Sequence, residues 1–221
     1  MRQSGKLAWV AVFAFAMAYV EAASVVYLRR IYDITDLFRD VAPYDRVLSP
    51  VELGREAATL IMLAAVGWAV GRTWQSRVGF AFFAFGVWDI FYYVWLRLLI
   101  GWPTSLLDPD ILFLIPLPWW GPVLSPILIA LLAVAGGAAA IAQEDRGRTI
   151  SLGIPEWASL ALGAAAVLYA FMADALAILP AGAEALSALR PTPFRWPIYV
   201  AGLALMAWGV FRATRAGAAR H

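Results

Sequence analysis

The chain contains no cysteine and a single histidine, His221. Without thiols there are no disulfides, no thiolate nucleophile, no Fe–S cluster and no Cys-bound zinc. One imidazole, expected on a tail away from the rest, leaves no bis-His haem, no His-ligated zinc and no Ser-His-Asp triad. Charge is also scarce: 14% of residues are charged, against about 25% in soluble domains. The 17 basic residues are mostly arginines scattered at segment ends. Such scatter gives no basic patch, so nucleic acid is not an expected partner. The ~10-residue alternating segments of an outer-membrane barrel are missing as well.

What fills the chain instead is apolar. It is 63% hydrophobic, with eleven tryptophans and a mean hydropathy of +0.75. Apolar runs recur along its length, the pattern of a multi-span helical membrane protein. The expected fold is an all-α transmembrane bundle forming a single domain over 1–221. Its six spans fall near 7–28, 50–71, 78–100, 123–142, 155–179 and 196–212. Pro155 should open the fifth span and Pro180 close it.

Two spans need argument. MRQSGK followed by LAWVAVFAFAMAYV resembles a signal peptide, and EAA at 21–23 offers a cleavage region. The apolar run nevertheless continues to Leu28 before Arg29 and Arg30. That length is enough to span, so an uncleaved first span is expected. In the second, the purely apolar Ala57–Val70 stretch reaches only ~21 Å at ~1.5 Å per residue, short of a ~30 Å core. The sequence SPVE at 49–52 extends it: Ser49 as N-cap, Pro50 at the first helical position and Glu52 closing a capping box.

Between spans three and four lies LDPDILFLIPLPWWGPVLSP. Its five prolines, Pro109, Pro116, Pro118, Pro122 and Pro126, forbid a continuous helix. A short helix from Pro109, capped by Asp108, is expected, followed by an irregular Pro/Trp stretch. That stretch is either an interfacial belt anchored by Trp119 and Trp120 or a re-entrant lid over a site.

Six spans put both termini on one side. Lys and Arg divide nine to eight between the two sides, which barely orients the chain under the positive-inside rule. The acids divide unevenly: only Glu144, Asp145 and Glu156 belong to the terminal side, and twelve of fifteen lie opposite. Cytoplasmic termini and an acidic outer face are therefore expected. Four acids fall inside the bilayer. Glu21 is ~12 Å before Arg29, and Asp89 is ~12 Å before Arg97. Glu56 lies ~9 Å into the second span, and Asp174 lies ~9 Å before Pro180. Four carboxylates on four spans thus reach nearly one depth from one face.

Charges inside membranes face the bundle interior and pair. Asp89, Tyr93 and Arg97 repeat at i, i+4 and i+8, while Glu52, Glu56 and Thr59 form a second polar stripe. These stripes should converge together with Arg55. The candidate catalytic residues are Asp89, Glu21 and Glu56. The candidate substrate contacts are Arg55, Arg97, Tyr92, Tyr93, Trp88 and Asp174. A purely structural ion-pair network is the bland alternative for the acids, as packing is for the aromatics. Oxygen is the only ligand type on offer, so any resident metal would be a hard cation, Mg²⁺ or Ca²⁺.

At EAASVVYLRR, REAATLIML, WDIFYYVWLRLLIGWP and DILFLIPLPWWGPVLSP the chain resembles a group of bacterial polytopic inner-membrane proteins. That resemblance covers residues 17 to about 130. It implies a multi-pass inner-membrane location and no particular activity. WDIFYY at 88–93 also resembles, over a much shorter stretch, the integral-membrane terpene cyclases, in which a buried acidic residue follows Trp on a span. This chain has Asp where those carry Glu.

Three functions fit these residues. The first is a pocket in the outer half of the bundle that binds or processes a lipid or isoprenoid-like substrate, with membrane lipids as partners. Asp89 or Glu21 would be its general acid or base, the aromatics would shape it, and Arg55 or Arg97 would hold a headgroup phosphate. The second is a non-catalytic subunit or assembly factor of a membrane complex. The third is a proton- or cation-coupled transporter, although a through-path needs polar groups in both halves.

Overall fold

The computed structural model describes residues 2–34, 45–180, 182–189 and 192–216. His221 and Arg190 lie outside them. Helices dominate: α1 (Leu7–Ile31), α2 (Leu48–Val70), α3 (Trp74–Ile100), α4 (Leu124–Asp145), α5 (Ile154–Ala177), the short α6 (Ala183–Ser187) and α7 (Trp196–Ala216). Six of these are long and apolar enough to cross a membrane. Their outward surfaces carry large apolar side chains: Trp9 is 75% exposed and Ile61 67%. A soluble protein does not present such a surface around its whole girth. The chain is a multi-pass membrane protein.

Helix ends follow local chemistry. Thr73 and Ser76 form a reciprocal capping box, so α3 starts four residues earlier than hydropathy alone placed it. Gly101, at φ +73°, closes α3 in the left-handed conformation. Helix α1 runs on through Arg29 and Arg30, which sit in its last turn where the helix dipole favours cations. The expected cap of α2 is corrected. Ser49 is already inside the helix, and Asp45 caps it, accepting from the Val47 and Leu48 amides at 2.7 Å each. Ser49 instead accepts from the Asp45 amide at 3.1 Å. Glu52, freed from capping, turns to Arg55.

The Pro-rich connection is also corrected. It holds no helix at Pro109. Strands β1 (Pro109–Phe113) and β2 (Trp119–Pro122) pair antiparallel, with Pro109 opposite Pro122 and Ile111 opposite Trp120. Prolines at strand ends cost little, because the missing N–H would have bonded outside the ladder. Asp108 caps the turn before the hairpin, accepting from the Thr104 hydroxyl at 2.8 Å and amide at 2.7 Å. These bonds hold its carboxyl below the usual range, against a raising effect of partial burial.

Packing runs through small residues. Helix α3 packs most extensively on α4, and α5 on α7. A Cβ at Gly79 would stand 3.1 Å from the Gly137 carbonyl, and one at Gly202 would stand 2.8 Å from the Gly163 carbonyl. Close backbone approach substitutes for the hydrophobic drive that lipid removes. Gly67 and Gly71, a G-x-x-x-G pair, seat α2 against the start of α3 at Arg77. One apolar cluster gathers α1–α4 around Phe80, Ala84 and Trp88. A second gathers α5 and α7 around Phe171 and Tyr199.

Candidate functional site

Between these clusters, toward the face opposite the termini, lies a cavity of about 280 Å³. It draws lining residues from α1, α2, α3, α4, α5, α6 and the hairpin. Its wall includes Glu21, Glu52, Arg55, Glu56, Asp89, Tyr92, Tyr93 and Asp110. Trp88, Phe113, Trp119, Trp120 and Phe171 complete it on the apolar side.

The polar wall is organised by two guanidiniums. Arg55 bonds Glu21 on α1 and Glu52 one turn earlier on α2. Thr59, one turn on, donates to the other Glu21 oxygen at 3.0 Å. Thus Arg55 and Thr59 clamp α1 to α2, as expected of charges that must pair inside a bundle. Arg29, in the last turn of α1, lies 3.8 Å from the Asp110 carboxylate and 4.0 Å above the Trp102 ring. Tyr93 donates to Asp110 at 3.1 Å. Burial pushes the Asp110 carboxyl up to about 7, a rise that Arg29 and the Tyr93 hydrogen bond oppose.

Glu56, 5% exposed, accepts from the Leu114 amide at the hairpin tip through both oxygens, at 3.0 and 3.1 Å. It therefore latches the hairpin to α2. Asp89 is different. It is 7% exposed, and its Oδ2 meets no hydrogen-bond partner among the described residues. Among the described residues no three acidic side chains gather closely enough to hold a metal ion. Glu21, Glu52, Glu56 and Asp110 are divided between arginines, a tyrosine, a threonine and a backbone amide.

The structure thus brings together Glu21, Glu56, Asp89, Arg55, Tyr92, Tyr93 and Trp88, as the shared depth of the acids implied. Two predicted contacts fall elsewhere. Arg97 donates to the Gly101 and Pro103 carbonyls, tying down the end of its own helix. Asp174 bonds Thr192 and, at 2.9 Å, Arg195, and it lines a separate groove beside β2. Helical rise sets a residue's height along its span, but not the side to which the helix turns it. Trp95 is a brace, donating to the Phe15 carbonyl at 3.2 Å.

Asp110 and Arg29 were missed as site residues. Arg29 had a signal, since it follows Glu21 by two helical repeats of four on one face. Asp110 had only its place in an apolar run. Trp119 and Trp120 both line the cavity: Trp119 stacks on Phe171 with centroids 5.9 Å apart, and Trp120 is 5% exposed.

No protein-family model, curated protein or solved structure matches this chain.

Proposed function

We propose that this chain binds or processes a lipid or isoprenoid-like molecule in the outer half of a bacterial inner membrane, with both termini in the cytoplasm. The observation that carries this reading is the cavity: one wall of carboxylates and guanidiniums, the other of aromatic rings, reached by spans whose outer surfaces face lipid. An amphipathic occupant fits such a wall, its tail on the rings and its head toward Asp89. Asp89 is the group available for acid–base work, because its Oδ2 is not already committed. Tyr92 and Trp88, stacked with centroids 6.4 Å apart, supply ring faces beside it. Arg55 is occupied by Glu21 and Glu52, so its part is to fix the wall rather than to hold a phosphate.

A second reading, a non-catalytic subunit of a membrane complex, is favoured by that same Arg55 network, which stitches α1 to α2 without any ligand. One experiment separates the two. The chain is excised from membranes in polymer nanodiscs, and its retained lipids are compared with the bulk membrane. A lipid enriched about tenfold in the wild type, and lost from Asp89→Asn at unchanged yield, supports the pocket; that factor matches one buried polar contact. Retained lipid identical to bulk in both proteins contradicts it.

A further inference from the structure

Among the described residues the cavity wall carries five carboxylates against two guanidiniums. Arg55 is shared by Glu21 and Glu52, and Arg29 faces Asp110. Glu56 takes its hydrogen bonds from the Leu114 amide, which brings no full charge. Asp89 has neither an ion pair nor a hydrogen bond among the described residues. Its Oδ2 is enclosed by protein. Its Oδ1 is equally without a partner but is not enclosed, so this is the oxygen that Asp89, 7% exposed, turns to the cavity. A carboxylate inside a membrane bundle pairs with an opposite charge. Here the wall has none left, and that charge falls to the occupant.

The rings beside Asp89 point to the same chemistry. Tyr92 and Trp88 on α3, Phe113 on β1, Trp119 on β2 and Phe171 on α5 all line the cavity. Each ring meets the next with centroids 5.4 to 6.4 Å apart, which makes one aromatic belt from α3 to α5. Ring faces attract cations, most strongly where water is excluded. An anion meets the carboxylate excess and finds both guanidiniums already engaged. An alcohol donates to Oδ1 but leaves that excess uncompensated. Resting on the lipid-binding reading above, we infer that the polar end of the occupant is an organic ammonium group carried on an apolar body, with Asp89 as its counter-ion and the aromatic belt supplying ring faces.

The test uses the full chain in dodecyl maltoside, with bound species read by native mass spectrometry. Four probes are supplied at equal concentration: hexadecyltrimethylammonium, hexadecanol, hexadecyl phosphate and phosphatidylethanolamine. The ammonium should be retained about tenfold more than the alcohol or the phosphate. In Asp89→Asn, which keeps the shape but loses the charge, that preference should fall to near parity at an unchanged melting temperature. A preference that survives in Asp89→Asn overturns Asp89 as the counter-ion. The wild-type comparison stands by itself if the variant fails to accumulate. Hexadecanol or hexadecyl phosphate retained as well as the ammonium overturns the cationic headgroup while leaving lipid binding standing. Retention of none of the four overturns both. Phosphatidylethanolamine retained alongside the ammonium upholds the inference with a bilayer lipid as the source, and its exclusion upholds it with a free amphipathic amine.

Discussion

Asp110 sits 3% exposed at the start of β1, facing Arg29 from α1 and Tyr93 and Asp89 from α3. Burial outweighs the favourable partners and moves it from about 3.8 to about 7. Between those values the folded chain keeps a proton that the unfolded chain has released. Stability contributed by this group is therefore fully present below pH 3.8 and is lost as pH rises toward 7. Thermal unfolding in detergent should show a melting temperature that falls from pH 5 to pH 7.5. In Asp110→Asn that slope should be shallower, and equal slopes would show that Asp110 titrates normally. At this scale the sequence was informative where charge was anomalous. Glu21, Glu56 and Asp89 interrupt apolar runs, where a charge is costly and must find a partner. Arg29 stands at a segment boundary, where a charge is ordinary despite its spacing from Glu21, and Asp110 stands in a Pro-rich connection whose fold hydropathy does not give.

The hairpin is the element the sequence described least well. Five prolines correctly forbade a long helix, but they said nothing about which residues would pair across the turn. Pairing depends on Pro109 and Pro122 coming together, a contact between positions on either side of an apolar tip. The tip is held by Glu56, whose two oxygens accept from the Leu114 amide. Glu56→Leu should leave that amide unpaired and cost about 1–3 kcal/mol. Glu56→Gln keeps an acceptor and should cost less. Hydrogen exchange at residues 111–119 reads the difference. Exchange should rise in the Leu variant well above that in the Gln variant, and unchanged exchange in both would remove the latch. The long helices, by contrast, were legible to within a few residues. Span length is set by bilayer thickness and by caps such as Thr73–Ser76 and Gly101.

Across the whole molecule, two packed clusters, one built by α1–α4 and one by α5 and α7, leave a cavity between them that the hairpin covers. Six spans and a shared depth for the acids follow from hydropathy and helical rise alone. Helix rotation does not, because it is decided by seams such as Gly79–Gly137 and Gly163–Gly202, whose partners are distant in sequence. This is why Arg97 and Asp174 turn to other partners, the Gly101 and Pro103 carbonyls and Arg195. The central claim is that Glu21, Glu56, Asp89 and Asp110, from three spans and a strand, share one occupied chamber. An electron cryomicroscopy map of the chain in native-membrane nanodiscs tests it most directly. The account predicts density for an amphipathic molecule in this chamber, its polar end toward the carboxylate wall and its tail along Phe113 and Phe171. A map in which those side chains close on one another, or in which Asp89 turns to lipid, would contradict it.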